Sequence, residues 1–250
     1  MKVVLFAHGE VGLEVVKHFA AEGVAPALLI LVREDAASNE LIRRATNALT
    51  IVEWSREPVP EQVEQLRTLG ADLAIVAWWP YLLRPGVFTL PRLGCLNFHP
   101  SLLPHGRGKY PNFWAVREGT PFGVSLQFVD AGVDSGEVAF QQELPISWED
   151  TGGTLHHRAR AAIVALFKAN FARVMRGDIP RQPQVAAEGS FHRASELEAA
   201  SQIDLDKHYS GRELLNLLRA RTYPPHPGAW FTETGVAYDV RVEIRQRPSN

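Results

Sequence analysis

Residues 3–20, VVLFAHGEVGLEVVKHFA, decide the fold class. Residues 3–7 form a continuous apolar run, residues 9–12 form a turn with two glycines, and apolar residues then recur at helical spacing. A buried strand, a tight turn and an amphipathic helix in this order are typical of a parallel β-α-β unit. The apolar run reaches polar residues too soon for a signal peptide, so it predicts a first strand.

The same alternation continues along the chain. Strand patterns occupy residues 27–32, 50–54, 72–78, 95–99, 123–130 and 138–146, and helical patterns occupy residues 39–49, 61–69, 113–118 and 154–175. Apolar strands that alternate with helices indicate a sheet covered on both faces. We therefore predict an α/β protein with a doubly wound, mostly parallel, Rossmann-like sheet.

The chain changes character after Gly177. Residues 178–209 contain prolines and scattered charge and predict a connection that runs over the surface. Residues 210–221 then predict a short helix, and residues 230–244 predict a β-hairpin. We expect a main domain of residues 1–176 and a C-terminal extension of residues 177–250, which is small for a second domain.

Composition excludes several classes of protein. Of 250 residues, 26 are Lys or Arg and 28 are Asp or Glu, a balance that disfavours a nucleic-acid-coating or membrane-anchoring surface. No run approaches the roughly 20 apolar residues of a membrane span. The one cysteine, Cys95, excludes an internal disulfide and a thiolate zinc cluster. We expect a cytoplasmic protein that binds no metal, nucleic acid or membrane.

Two polar residues end a predicted strand. Asn97 and His99 are two residues apart and share a face if the chain is extended, and Pro100 disfavours a helical conformation for His99. Ligands of open parallel sheets bind beyond the carboxyl ends of the strands. An amide can stabilise an oxyanion and an imidazole can move a proton near neutral pH, so the pair is a candidate catalytic site.

The loop of residues 129–136, VDAGVDSG, brings two further carboxylates. An aspartate next to His99 would favour the imidazolium and orient the ring. Turn aspartates also commonly bond their own backbone, and spacing alone does not choose between Asp130 and Asp134.

Two other features are less specific. The turn at residues 9–12, with Asp35 further on, partly matches a dinucleotide-binding fingerprint. The aromatic Trp79 could form the floor of a pocket for a flat heterocycle.

Taken together, residues 97–104 (NFHPSLLP), Arg107, Gly108, Trp114 and residues 130–136 (DAGVDSG) resemble the folate-dependent formyltransferase family. The resemblance spans about residues 1–176. It implies a catalytic triad of Asn97, His99 and Asp134, with 10-formyltetrahydrofolate as the formyl donor. It also implies that the donor's pterin lies against the residues Trp79, Pro80, Tyr81, Leu82, Leu83, Asp130 and Val133.

Within that family, residues 107–114 and 221–230 most resemble the nucleotide-sugar N-formyltransferases. In those enzymes a small C-terminal hairpin often mediates dimerisation, so we expect a homodimer. A diphosphate needs cationic donors and a base needs a flat face. We accordingly take as candidate substrate-binding residues Lys109, Tyr110, Arg219 and Tyr223.

The predicted function is formyl transfer to the amine of a nucleotide-linked amino-deoxy sugar, in the synthesis of O-antigen or another surface polysaccharide. Other amine acceptors stay open: a hydroxylamine amino acid, glycinamide ribonucleotide or aminoacyl-tRNA. The short extension and near-neutral charge disfavour the tRNA. A dinucleotide-binding oxidoreductase is an alternative from another class.

Overall fold

A seven-stranded sheet forms the centre of the protein in the computed structural model, which describes residues 1–248. Its strand order is β3-β2-β1-β4-β5-β7-β8. The strands, in chain order and including four outside this sheet, are β1 (Val3–Ala7), β2 (Leu28–Val32), β3 (Ile51–Trp54), β4 (Leu73–Ala77), β5 (Cys95–His99), β6 (Arg107–Gly108), β7 (Gly123–Phe128), β8 (Val138–Glu143), β9 (Phe191–His192), β10 (Ala229–Glu233) and β11 (Val236–Val240).

Helices connect and cover the strands. They are α1 (Gly9–Ala21), α2 (Ala36–Ala45), α3 (Pro60–Leu69), α4 (Pro85–Phe88), α5 (Pro111–Glu118), α6 (Gly152–Arg176), α7 (Glu196–Ala200) and α8 (Gly211–Arg221). The first five strands of the sheet pair in parallel, and β7 then pairs antiparallel with β5. Every residue of β1, β2 and β4 is buried, as expected for parallel strands covered on both faces. The predicted Rossmann-like α/β fold is confirmed.

The first turn is tightly packed. A Cβ atom at Gly12 would lie 2.9 Å from the backbone of Ala7, so this position of α1 requires a glycine. The Gly9 N–H donates to Ser38 Oγ, and Asp35 is the N-cap of α2 and lies 3.2 Å from His8 Nδ1. Gly9, Gly12 and Asp35, which suggested a dinucleotide site, thus have structural partners in β1, in α2 and at His8.

The chain divides into two compact units. One comprises residues 1–99, 125–141 and 161–184, and contains most of the sheet. The other comprises residues 100–124, 142–160 and 185 onward. The predicted division into residues 1–176 and 177–250 follows the sequence pattern and remains a prediction.

In the second unit, α5 packs against α8, and β10 pairs antiparallel with β11. The hairpin turns at Thr234 and Gly235, both with positive φ, which suits the two-residue turns that match strand twist. The helix and the hairpin lie where the sequence predicted them. The two-residue strands β6 and β9 and the short helix α7 were not predicted.

No helix among residues 1–248 is long and apolar enough to cross a membrane.

Candidate active site

The end of β5 presents His99 to Asp134. His99 Nδ1 lies 3.4 Å from Asp134 Oδ1, and the two side chains are 7% and 16% exposed. Water therefore has little access to the contact, and a carboxylate at this distance can orient the imidazole ring. The ring nitrogen that faces the carboxylate is Nδ1.

Asn97 shares the face of β5 that carries His99. In the antiparallel register it lies directly opposite Gln127 of β7, and His99 lies opposite Ser125. Directly opposite residues of antiparallel strands point to the same side of a sheet. Asn97 is half-buried, and its carboxamide makes no hydrogen bond to any residue in the range 1–248. Its N–H groups are therefore able to donate to a ligand.

The two carboxylates of the loop after β7 have different partners. Asp130 Oδ1 accepts hydrogen bonds from Gly132 N at 3.0 Å and from Ser135 Oγ at 2.9 Å, so Asp130 shapes its own loop. Asp134 has a φ of +50°, in the left-handed region, and its carboxylate is the one beside His99. The geometry thus distinguishes two residues that spacing could not. Their catalytic and ligand-binding roles remain predictions.

Gly136 fixes the end of this loop against β7. A Cβ atom there would overlap the carbonyl oxygen of Phe128, so the backbone can approach only because the residue is glycine. This close approach returns the chain to the sheet directly after Asp134.

The loop after β4 carries the predicted donor-binding residues 79–83. Trp79 packs edge-on against Phe6 and Tyr81, and the Tyr81 hydroxyl donates to Glu34 Oε2 at 3.3 Å. Trp79, Leu83 and Val129, the residue after β7, pack on one buried cluster of sheet residues. The loops after β4 and β7 therefore rest on the same part of the core. Both loops also carry exposed apolar surface, since Leu82 is 76% exposed and Val133 is 39% exposed.

The four predicted substrate-binding residues lie in the second compact unit. Arg219 is buried: its guanidinium donates to the backbone oxygens of Ser147 and Asp150 and to Asn216 Oδ1, and burial lowers its pKa. These contacts hold α8 to the segment before α6, and a role in binding substrate remains a prediction.

Tyr110 is exposed, has a φ of +60° and caps α5, and Lys109 beside it is exposed as well. Tyr223 lies between His156 and His226, with ring centroids 5.2 and 4.8 Å away, and burial raises its pKa. The roles of Lys109, Tyr110 and Tyr223 in substrate binding also remain predictions.

Sequence reasoning missed two glutamines near Asp134. Gln127 Nε2 donates to Asp134 Oδ1 at 2.9 Å, and Gln184 Nε2 lies within hydrogen-bond distance of Gln127 Oε1 and of the Asp134 backbone oxygen. Gln127 left a signal, because Ser125 and Gln127 alternate with apolar residues in a buried strand. Gln184 left none.

No group of three His, Cys, Asp or Glu side chains among the described residues could hold a metal ion.

Comparisons with known proteins agree with this geometry. Residues 14–169 match the family described as formyl transferase, and residues 196–246 match the N-formyltransferase dimerization C-terminal domain. A methionyl-tRNA formyltransferase of Marinobacter nauticus is 36% identical over 191 residues, which cover 75% of this chain and 58% of that protein. One of Symbiobacterium thermophilum is 37% identical over 172 residues, covering 68% and 51%. The chain thus spans little more than half the length of these curated relatives.

Among solved structures, a sugar N-formyltransferase from a Shewanella species superposes with a TM-score of 0.84, at 18% identity and with 99% of each chain covered. A 4-N formyltransferase from Francisella tularensis gives 0.81 at 20% identity, with 98% of each chain covered. At these identities the likeness concerns the fold. Residues 14–169 match the formyl transferase family, and the structure places His99, at the end of a strand with Asn97, beside Asp134. The chain therefore belongs to the formyl transferase family.

Proposed function

We propose that the chain transfers a formyl group from 10-formyltetrahydrofolate to the amine of a nucleotide-linked amino-deoxy sugar. We place this reaction in the cytoplasm, in the synthesis of O-antigen or another surface polysaccharide. Residues 1–176 are the proposed catalytic domain, and residues 177–250 carry the proposed dimerisation element. The observation that carries the proposal is the largely buried contact between His99 Nδ1 and the Asp134 carboxylate, with His99 on the sheet face that also carries Asn97.

The loops after β4 and β7 fit a folate-type donor. Trp79 and Tyr81 supply aromatic surface, and Leu82 and Val133 supply exposed apolar surface that a flat heterocycle could cover. Two related proteins support this choice by their bound molecules: one of Helicobacter canadensis is in complex with folinic acid and dTDP-3-aminofucose, and one of Anoxybacillus kamchatkensis is in complex with tetrahydrofolate and a UDP-linked sugar.

The three residues divide the chemistry. The donor supplies a formyl carbon, to which the acceptor amine forms a C–N bond while the bond to the folate nitrogen breaks. Asn97 donates a carboxamide N–H to the formyl oxygen, where negative charge develops. His99 moves a proton through Nε2 from the amine toward the departing nitrogen. Asp134 holds Nδ1–H, orients the ring and balances its positive charge.

Similarity to a sugar N-formyltransferase favours a nucleotide sugar as the acceptor. The sugar N-formyltransferase of the Shewanella species matches this chain over 99% of both lengths. Residues 196–246 also match the N-formyltransferase dimerization domain, which supports a homodimer. The curated relatives that act on methionyl-tRNA are matched over little more than half their length, so their acceptor is the principal competitor.

The test is to incubate the protein with 10-formyltetrahydrofolate and a panel of acceptors. The panel comprises dTDP- and UDP-linked 3-amino and 4-amino sugars, glycinamide ribonucleotide, a hydroxylamine amino acid and charged initiator tRNA. Mass spectrometry should detect the gain of one formyl group on a nucleotide sugar. Formylation of the tRNA alone, or of no member of the panel, would reject the proposed acceptor class.

A further inference from the structure

The segment that follows α6 is fixed to the edge of the sheet beside the site. Gln182 exchanges two backbone hydrogen bonds with Val138 of β8, at 2.8 and 2.9 Å. The Arg181 guanidinium lies 3.5 Å from the centroid of the Phe128 ring and donates to Glu137 Oε2 at 2.7 Å. We call residues 181–184 the strap. The surface connection expected from residue 178 onward is therefore anchored in its first part.

The strap ends in an amide that reaches the catalytic loop. Gln184 Nε2 lies 2.7 Å from the backbone oxygen of Gly136, 3.0 Å from that of Asp134 and 3.2 Å from Gln127 Oε1. The first two contacts fix the loop backbone on both sides of Ser135. The third fixes the orientation of the Gln127 amide, because its oxygen faces Gln184.

The Gln127 amide in turn orients the Asp134 carboxylate through a hydrogen bond. Its Nε2 must point away from Gln184, and it donates to Asp134 Oδ1 at 2.9 Å. The same Oδ1 atom is 3.4 Å from His99 Nδ1. Gln127 is 2% exposed, so water does not compete for the amide.

The backbone of Asp134 has an uncommon conformation. Its φ of +50° lies in the left-handed region, which aspartate adopts more readily than most residues but at some cost in energy, and contacts to the backbone stabilise it. The strap supplies those contacts from a position 50 residues further along the chain.

We infer that Gln127 and Gln184 are positioning residues that hold the Asp134 carboxylate against His99. The inference rests on the proposed formyl transfer. It assigns to the strap a part in the reaction, although neither glutamine is expected to touch a substrate.

The test compares Gln184→Met and Gln127→Met with Gln182→Met. Met keeps the length of the side chain and removes the amide, and Gln182 is an exposed glutamine of the strap that anchors through its backbone. Misplacement of a catalytic group by about 1 Å can cost about 100-fold in rate. We expect kcat to fall about 10- to 100-fold in Gln127→Met and Gln184→Met, with both KM values within about twofold of wild type. Gln182→Met should match wild type.

Gln127→Glu adds a readout that packing alone would not change. A protonated carboxyl can donate to Asp134 as the amide does, whereas an ionised carboxylate repels it. The activity of Gln127→Glu relative to wild type should therefore rise as the pH is lowered. The same ratio for Gln127→Met should not depend on pH.

The outcomes separate this inference from the proposed function. If the wild-type protein formylates no acceptor, the proposed function fails. If the wild-type protein is active and both methionine variants keep kcat within twofold, the positioning role is overturned. It is also overturned if their loss lies in KM, or if Gln182→Met loses as much activity as they do.

Discussion

Replacing Asp134 by Asn tests the contact between Asp134 and His99, because it removes the carboxylate charge and preserves the shape of the side chain. Asn is among the residues that best tolerate a left-handed backbone, so the φ of +50° can be retained. Gln127 Nε2 still requires an acceptor at Oδ1, which directs the new amide N–H₂ group away from that donor. The negative charge beside His99 is therefore lost without a gross change in the loop.

The magnitude follows from the distance. When His99 gains a proton in the proposed transition state, its charge lies 3.4 Å from that of Asp134, and the two interact by about 5 kcal/mol at an effective dielectric constant of about 20. The Asn dipole recovers part of this, so we take about 4 kcal/mol as the loss in the transition state, which corresponds to about a 1000-fold fall in rate. An Asp→Asn change behind the catalytic histidine of a serine protease costs about 10⁴-fold, which is of similar size.

The assay measures kcat for formyl transfer to the acceptor found in the panel. Asp178→Asn serves as the matched control, since it removes the same charge from an exposed ion pair with Arg173. Thermal unfolding of each variant reports whether the fold is intact. We expect a roughly 1000-fold loss for Asp134→Asn and none for Asp178→Asn. A folded Asp134→Asn variant with kcat within tenfold of wild type would refute the role given to the Asp134 charge.

Three further changes test stability and assembly. Gly136→Ala should lower the free energy of unfolding by about 1–3 kcal/mol in urea titrations, because the new Cβ overlaps a carbonyl oxygen of β7. In the control Gly86→Ala the new Cβ meets nothing within 4 Å, so this variant should not be destabilised. Burial lowers the pKa of His18, so the native state binds fewer protons than the unfolded state, and stability should fall as the pH drops below about 6.5. In His18→Phe, the unfolding temperature measured by calorimetry should decrease less over this pH range. Tyr238 of the hairpin is 47% exposed, and Tyr238→Glu should convert the proposed dimer to a monomer in light scattering, unlike Asp239→Asn. An unchanged mass for Tyr238→Glu would remove the hairpin from the interface.

The sequence predicted those parts of the fold that are determined by residues close together in the chain. The strand β5 was located to the residue, because an apolar run, two alternating polar residues and a proline all act within a few positions. The same local rule placed Asn97 and His99 on one face. The short strands β6 and β9 were not predicted, because each has only two residues and the two pair with each other across more than 80 positions of the chain.

The choice between Asp130 and Asp134 illustrates the limit of spacing. Both aspartates lie in the same glycine-containing loop, and both suit turns. The difference arises from tertiary contacts: Ser135 and Gly132 occupy the carboxylate of Asp130, while Gln127 orients that of Asp134. Such contacts leave no periodic signal in the chain. The resemblance to a family selected the residue that the geometry also favours.

The environment of Cys95 constrains the route of the formyl group. This thiol lies on the same strand as Asn97, two positions earlier, yet it is 1% exposed and burial raises its pKa to about 12. The thiolate is the nucleophilic form, so almost none is present near neutral pH, and Cys95 is the chain's one cysteine. For the proposed reaction, a thioester intermediate on Cys95 is therefore disfavoured, which favours direct transfer of the formyl group from donor to amine. Direct transfer would require both substrates to be bound together, and its rate would depend on how firmly the predicted catalytic residues Asn97, His99 and Asp134 are held.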